Sequence, residues 1–150
     1  MKPRRYRPDL SQLHRLFSAN YRHLTRLLNQ AEGRLGRQDE YQWRHQQQAI
    51  ELHLVVQQQT VYTEIIQLRR CAPNMPLVRD PKLEVRLYHD ARLAEVLTGQ
   101  QFSRFLPVYP YPNAAMLQPD EKFQVNLYLA ELLNQFDINE WCLLGTVDLD

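Results

Sequence analysis

The hydrophobic period of this chain changes twice along its length, and this change restricts the fold more than any other feature. Near the amino terminus, apolar residues recur every three or four positions, as they do on one face of a helix. In the middle they alternate with polar residues, as in a strand with one buried face. The helical period returns before the carboxy terminus. Two terminal helices with strands between them predict an α+β domain.

The first helix is predicted over about residues 9–30. Asp9, followed three residues later by Gln12, fits a capping box at its start. Gly33 and Gly36 follow the last periodic residue, where a helix can end in a left-handed conformation. The buried stripe is expected to consist of apolar residues at helical spacing, namely Leu10, Leu13, Phe17, Leu24 and Leu28, widened by Leu16, Tyr21 and Leu27.

The second helix is predicted over about residues 119–136. Pro119 suits a first helical turn, and the carboxylates of Asp120 and Glu121 complement the positive end of the helix. Its apolar face is expected to contain Phe123, Val125, Leu129, Leu132, Leu133 and Phe136. The tail that follows is apolar enough to dock on the domain, and its conformation is left open.

The strands are predicted between the two helices. Tyr41 and Trp43 alternate with polar residues, residues 50–55 show the same period, and residues 60–66 are rich in β-branched and aromatic side chains. An antiparallel meander is their simplest connection. Residues 83–88 and 92–97 alternate around a short turn and predict a hairpin.

The predicted fold is therefore a single α+β domain over residues 1–150, with an antiparallel sheet of about five strands flanked by the two long helices. A basic arm (residues 1–7) and an acidic tail (residues 137–150) are expected at its periphery. Residues 100–118 are rich in proline and aromatic side chains, a composition that favours an ordered, extended segment lying across the sheet.

Several classes of protein find no support in the sequence. No apolar run is long enough for a membrane helix, and two cysteines are too few for a disulfide framework, which favours a cytoplasmic location. No phosphate-binding glycine loop or nucleophile-elbow motif is present, so no cofactor is expected. His14 and His23, nine positions apart, point to opposite sides of one helix, and no metal site is expected.

Charge is distributed unevenly although the net charge is only +1. Residues 1–37 carry nine Lys or Arg and two acids, whereas residues 120–150 carry seven acids and one lysine. Either the basic third contacts a polyanion such as RNA, or the two ends of the chain attract each other. The second interpretation also permits a homodimer in which opposite ends of two copies meet.

The hairpin carries the sharpest cluster of candidate site residues. In a strand, Arg86, Tyr88 and Asp90 project to one face, where a guanidinium, a phenol and a carboxylate could bind an anion. His89 beside the turn has the residue type of an acid or base near neutral pH, with Asp90 as its orienting partner. The alternative is a solvated sheet face in which Asp90 only forms the turn.

The aromatic segment and the second helix supply further candidates. Arg104, Tyr111 and Asn113 could stack on a ring and form hydrogen bonds with its edge, or the aromatic residues could simply cover the sheet as core. Lys122 lies in the first turns of the second helix and would add a cation for an anionic group.

A resemblance to a known family depends on several of these residues. Its motifs are residues 86–91, residues 109–113, and Met116, Gln118, Asp120, Glu121, Lys122, Gln124 and Asn126. Together with Tyr6-Arg7-Pro8-Asp9, they make the chain resemble the YqiB-like family of uncharacterised proteobacterial proteins. The resemblance is most specific over residues 83–134. It implies no established activity, and the family's gene neighbourhood implies work related to nucleotides.

Three functions are carried forward as hypotheses. The first is a binding domain that recognises an anionic or nucleotide-like ligand, or a protein partner, through the eight candidate residues Arg86, Tyr88, His89, Asp90, Arg104, Tyr111, Asn113 and Lys122. The second is an enzyme acting on a phosphorylated metabolite, with His89 and Asp90 as its acid/base pair. The third is an RNA-associated protein that uses the basic first helix and the aromatic segment.

Overall fold

A computed structural model of the chain describes residues 10–72, 82–97, 119–136 and 139–145. The first helix is α1 (Leu10–Leu35) and the second is α2 (Pro119–Asn134). The strands are β1 (Glu40–His45), β2 (Glu51–Gln59), β3 (Thr63–Cys71), β4 (Leu83–Tyr88), β5 (Leu93–Leu97) and β6 (Trp141–Leu144). Two helices and an antiparallel sheet confirm the α+β class.

The six strands form one sheet in the order β5-β4-β3-β2-β1-β6, and every neighbouring pair is antiparallel. The first three strands make the predicted meander, and β4 and β5 make the predicted hairpin. The pairing of β3 with β4 extends the meander to five strands. The sixth strand comes from the tail whose conformation the sequence left open. It pairs with β1, so that Trp43 lies opposite Leu143.

The first helix is longer than predicted and continues through Gly33 to Leu35. Ala31 is fully buried, one turn beyond Leu27 and Leu28, so core packing continues past the predicted end. The helix ends at Gly36, which has a φ of 76° and donates its N–H to the carbonyl of Glu32. A positive φ costs glycine little because it has no Cβ.

The third strand begins and ends later than predicted. Val61 and Tyr62, which were assigned to the strand, are 84% and 64% exposed and form the turn after β2. Thr60 closes this turn through its backbone N–H and its hydroxyl, both bonded to the carbonyl of Thr63. The prediction from β-branched composition is correct for residues 63–66, but pairing with β2 extends the strand over Thr63–Cys71.

The sheet has two unlike faces. The inner face packs against both helices, and its buried residues join those of α1 and α2 in one core; they include Tyr41, Trp43, Leu52, Leu54, Ile66, Leu68, Leu83, Val85, Leu87, Ala94 and Val96. The outer face carries the alternate residues, which are mostly polar and partly exposed: Arg44, Glu51, His53, Gln67, Arg69, Cys71, Glu84, Arg86, Tyr88 and Glu95.

A buried asparagine joins the two helices to the edge of the sheet. The side-chain oxygen of Asn126 accepts the backbone N–H of Val96 at 2.9 Å, on the edge strand β5. Its side-chain nitrogen donates to the carbonyl of Lys122, and its own carbonyl accepts the side chain of Asn20 from α1. Because no further strand pairs with β5 within the described residues, this contact satisfies a backbone donor that has no strand partner there.

Several sequence predictions lie outside the described residues. They concern Asp9 in the capping box, the basic arm 1–7, and the aromatic segment 100–118. Within the described part of the chain, neither helix combines the length and the apolar character that crossing a membrane requires.

Asn126→Ala is expected to lower the free energy of unfolding by about 2 kcal/mol, because it leaves the N–H of Val96 buried without an acceptor. Urea unfolding followed by circular dichroism measures this change. Asn134→Ala replaces an exposed asparagine of the same helix and should change stability by less than about 0.5 kcal/mol. Equal losses in both variants would contradict this assignment.

Candidate functional site

Arg86 and Tyr88 lie together on the outer face of β4. The guanidinium carbon of Arg86 is 6.0 Å from the centre of the Tyr88 ring, at the outer limit of a cation–π contact. This contact uses the charge of the guanidinium and leaves its in-plane N–H donors for another group. Within the described residues, no carboxylate forms an ion pair with Arg86.

Lys122 reaches the same region from α2, with its charge already paired. Its ammonium contacts the carboxylate of Glu95, and it lies 5.8 Å from the centre of the Phe17 ring. Glu95 is the register partner of Arg86 on β5. Arg86 and Tyr88 therefore lie side by side on β4, and Lys122 contacts the residue of β5 that is paired with Arg86.

His89 contacts two partners that the sequence did not indicate. Its Nδ1 is 2.9 Å from the hydroxyl of Tyr21 on α1, and its Nε2 is 3.0 Å from the carboxylate of Glu64 on β3. Since a carboxylate only accepts, Nε2 carries the proton and Nδ1 accepts from the phenol. Burial raises the pKa of Tyr21, and the positive charge of Arg92 opposes this effect only in part. The raised pKa keeps the hydroxyl protonated, so that it can donate.

The sheet separates His89 from Arg86 and Tyr88. Glu64 lies two residues before the buried Ile66 on β3 and shares its face, and Tyr21 belongs to α1, so the His89 ring lies on the side of the helices. Asp90 is exposed in the turn, and Glu64 rather than Asp90 contacts the His89 ring. Arg86 and Tyr88 thus lie on the outer face, whereas His89 lies on the side of the helices. The candidates Arg104, Tyr111 and Asn113 lie outside the described residues.

Tyr21→Phe is expected to lower the free energy of unfolding by about 1 kcal/mol, because the ring remains while the hydrogen bond to His89 is lost. Denaturant titration measures the change. Tyr62→Phe removes the hydroxyl of a largely exposed tyrosine and serves as the control, with little change expected. A loss no larger than that of Tyr62→Phe would show that the His89 contact does not stabilise the fold.

A second cluster, the Cys71–His53–Glu51 cluster, was missed by sequence reasoning. On the outer face, the thiol of Cys71 is 3.8 Å from Nδ1 of His53, and Nε2 of His53 is 3.2 Å from the carboxylate of Glu51. Arg44 donates to the other oxygen of Glu51 at 3.3 Å. The hydrogen bond from His53, helped by Arg44, lowers the pKa of Glu51 against the opposing effect of burial.

The only sequence signal for this cluster was strand register. Glu51 lies opposite Cys71, and His53 lies opposite Arg69, so His53 reaches the thiol diagonally across β2 and β3. Because the third strand was predicted to end at residue 66, Cys71 had no predicted register partner. Extending that strand would have placed the histidine and the thiol on one face.

A cleft of about 370 Å³ lies between α1 and the end of α2. Its lining includes His23, Arg26 and Gln30 from the first helix and Asn134 from the second. The Nδ1 of His23 is buried, with no hydrogen-bond partner within the described residues. Burial lowers the pKa of His23, and the charges of Arg26 and Arg22 lower it further.

His23 should make stability fall as the pH drops below about 6.5, the ordinary histidine pKa of the unfolded chain. Its pKa in the fold is lower, so in this range the unfolded chain binds the proton more readily and is favoured. Urea midpoints measured between neutral and mildly acidic pH should fall less steeply for His23→Gln than for the wild type. Parallel slopes would contradict the assignment.

No three of the histidine, cysteine, aspartate and glutamate side chains in the described ranges converge in a way that could hold a metal ion.

Over the described residues, the architecture is α+β, with two helices and a six-stranded antiparallel sheet that has a polar outer face. The comparisons with known proteins agree with the resemblance to the YqiB-like family. Residues 23–137 match the model of a family described as "Protein of unknown function (DUF1249)", and the chain belongs to this family. It is 38% identical over 130 residues to "Uncharacterized protein YqiB" of Escherichia coli strain K12, which covers 87% of this chain and 89% of the relative. The same values hold for the relative in Escherichia coli O157:H7. No solved structure matches the chain.

Proposed function

We propose that this protein is a binding domain for an anionic, nucleotide-like ligand, held on the outer face by Arg86 and Tyr88. The observation that supports it is a partly exposed guanidinium beside an aromatic ring, with no carboxylate paired to it among the described residues. A cation that is partly withdrawn from water and has no ion-pair partner among the described residues favours an anion.

The two side chains supply complementary contacts. The planar guanidinium matches two oxygens of a phosphate or carboxylate, and each charge-assisted hydrogen bond is stronger than a neutral one. The Tyr88 ring offers a face on which a base can stack. Lys122 adds positive potential near Arg86, although Glu95 neutralises part of it. A ligand with a phosphate and an aromatic ring would use all of these contacts.

The geometry favours binding over acid/base chemistry at His89. Both ring nitrogens of His89 contact protein groups, the hydroxyl of Tyr21 and the carboxylate of Glu64. A general acid or base has to reach the proton that it transfers, so these contacts would have to break first. We therefore assign His89 the role of joining α1 to the hairpin.

We also propose that the protein works in the cytoplasm. Cys71 and Cys142, both in the described part of the chain, are reduced thiols. Reduced thiols persist in a compartment kept reducing by small thiols, whereas secreted domains of this size commonly use disulfides.

A thermal-unfolding screen with nucleotides, phosphorylated metabolites, inorganic phosphate and short RNAs tests the ligand assignment, because a ligand at a hundred times its Kd adds about 2.7 kcal/mol of stability. A nucleoside phosphate is expected to raise the midpoint more than inorganic phosphate does. Arg86→Gln should then weaken its Kd about ten- to hundredfold, as titration calorimetry measures.

Two controls separate specific contacts from general charge. Arg15→Gln removes an exposed cation of α1 and should leave the Kd within about twofold, since exposed charges are largely screened. Tyr88→Phe keeps the stacking face and should bind like the wild type, whereas Tyr88→Leu should not. No midpoint shift with any compound, or equal effects of Arg86→Gln and Arg15→Gln, would overturn the proposal. A response confined to RNA that disappears with salt would support the RNA hypothesis instead.

A further inference from the structure

The Cys71–His53–Glu51 cluster lies on the outer face, apart from Arg86 and Tyr88. Cys71 is the last residue of β3, and Ile65, the register partner of Arg86, is six residues earlier on that strand. At the usual rise per residue these positions are about 20 Å apart. The cluster therefore needs an explanation of its own, independent of the proposed binding site.

The hydrogen bonds of the cluster fix where its protons lie. Glu51 is held as a carboxylate by His53 and Arg44, and a carboxylate only accepts hydrogen bonds. Nε2 of His53 therefore carries the ring proton, which leaves Nδ1 as an acceptor directed at the thiol of Cys71, 3.8 Å away. The order is nucleophile, base and orienting carboxylate, which is the arrangement that activates cysteine in enzymes.

The surroundings favour a reactive thiol. The side chain of His53 is 34% exposed and Cys71 is partly exposed, so a small molecule can approach. Arg69 lies two residues from Cys71 on the same face, directly opposite His53. The buried Nε of Arg69 has no hydrogen-bond acceptor within the described residues. Positive charge beside a thiol stabilises its thiolate and attracts anionic reagents.

We propose that Cys71 is an activated nucleophile that forms mixed disulfides with small anionic disulfides, with His53 as its base, Glu51 orienting His53, and Arg69 attracting the reagent. The Cys71 proton passes to Nδ1 of His53, and the thiolate attacks one sulfur of the reagent. The bond between the two reagent sulfurs breaks as the new disulfide to Cys71 forms. The other sulfur leaves with the electron pair as a thiolate and takes the proton from His53.

The protein carries its own control thiol. Cys142 on β6 is exposed, and its sulfur is 3.6 Å from the side-chain nitrogen of Gln46; no histidine contact to it is present among the described residues. Cys142→Ser leaves Cys71 as the only thiol, and Cys71→Ser leaves Cys142. Comparing the two full-length variants separates activation at Cys71 from simple exposure, because Cys142 is the more exposed of the two.

The experiment measures the rate of chromophore release from dithiobis(nitrobenzoate), an anionic aromatic disulfide, at about neutral pH, where an ordinary thiol is mostly protonated. Cys71 in the Cys142→Ser protein is expected to react about tenfold faster than Cys142 in the Cys71→Ser protein. His53→Gln should reduce the Cys71 rate about tenfold and leave the Cys142 rate unchanged. Equal rates at the two cysteines, or a Cys71 rate indifferent to His53→Gln, would overturn the proposal.

Two further variants keep the test decisive. Glu51→Gln retains the shape of the cluster and should slow Cys71, because the imidazolium that forms loses the carboxylate that orients and stabilises it. Arg69→Gln should slow the reaction with the anionic reagent more than that with neutral dithiodipyridine. Slowing both reagents equally would show that Arg69 does not attract the anion. Circular dichroism and urea midpoints confirm that each variant is folded before its rate is used.

Discussion

The contact between Asn126 and the backbone of Val96 is the interaction on which the arrangement of layers depends. Edge strands expose unpaired N–H groups, and burying one without a partner costs free energy comparable to a lost hydrogen bond. Asn126 is fully buried and supplies that partner from α2, while its own carbonyl accepts Asn20 from α1. One residue therefore joins both helices to β5, through its side chain to Val96 and through its backbone carbonyl to Asn20. It also positions Lys122, one turn earlier, beside Glu95 at the edge of the outer face.

The two faces of the sheet carry different kinds of residue. The inner face carries the core, and the Tyr21–His89–Glu64 contact is one of the polar contacts on the same side. The outer face keeps Arg86, Tyr88 and the Cys71–His53–Glu51 cluster partly exposed. Because neighbouring residues of a strand point to opposite faces, Tyr88 and His89 belong to different environments although they are adjacent in sequence.

The predictions from sequence are most accurate for elements that form between residues close together in the chain. The period-two pattern of residues 83–97 gave the hairpin, and the helical stripes gave both helices within a few residues of their ends. The sequence predictions are wrong about the start of the third strand because β-branched composition does not distinguish a strand from an ordered turn when pairing decides the register. They describe the candidate site only in part. Arg86 and Tyr88 are in contact, and Lys122 contacts Glu95, the register partner of Arg86. The partners of His89 are Tyr21 and Glu64 rather than the adjacent Asp90.

By itself, the sequence determined the kind and order of the elements, since hydrophobic period and turn residues act within a few positions of the chain. Only the tertiary structure decided which distant groups meet. The pairing of β6 with β1, the approach of Glu64 to His89 and that of His53 to Cys71 each depend on register or on layer packing. A shift of one residue in register would move every side chain of a strand to the opposite face, so these contacts are set by the burial of the whole core.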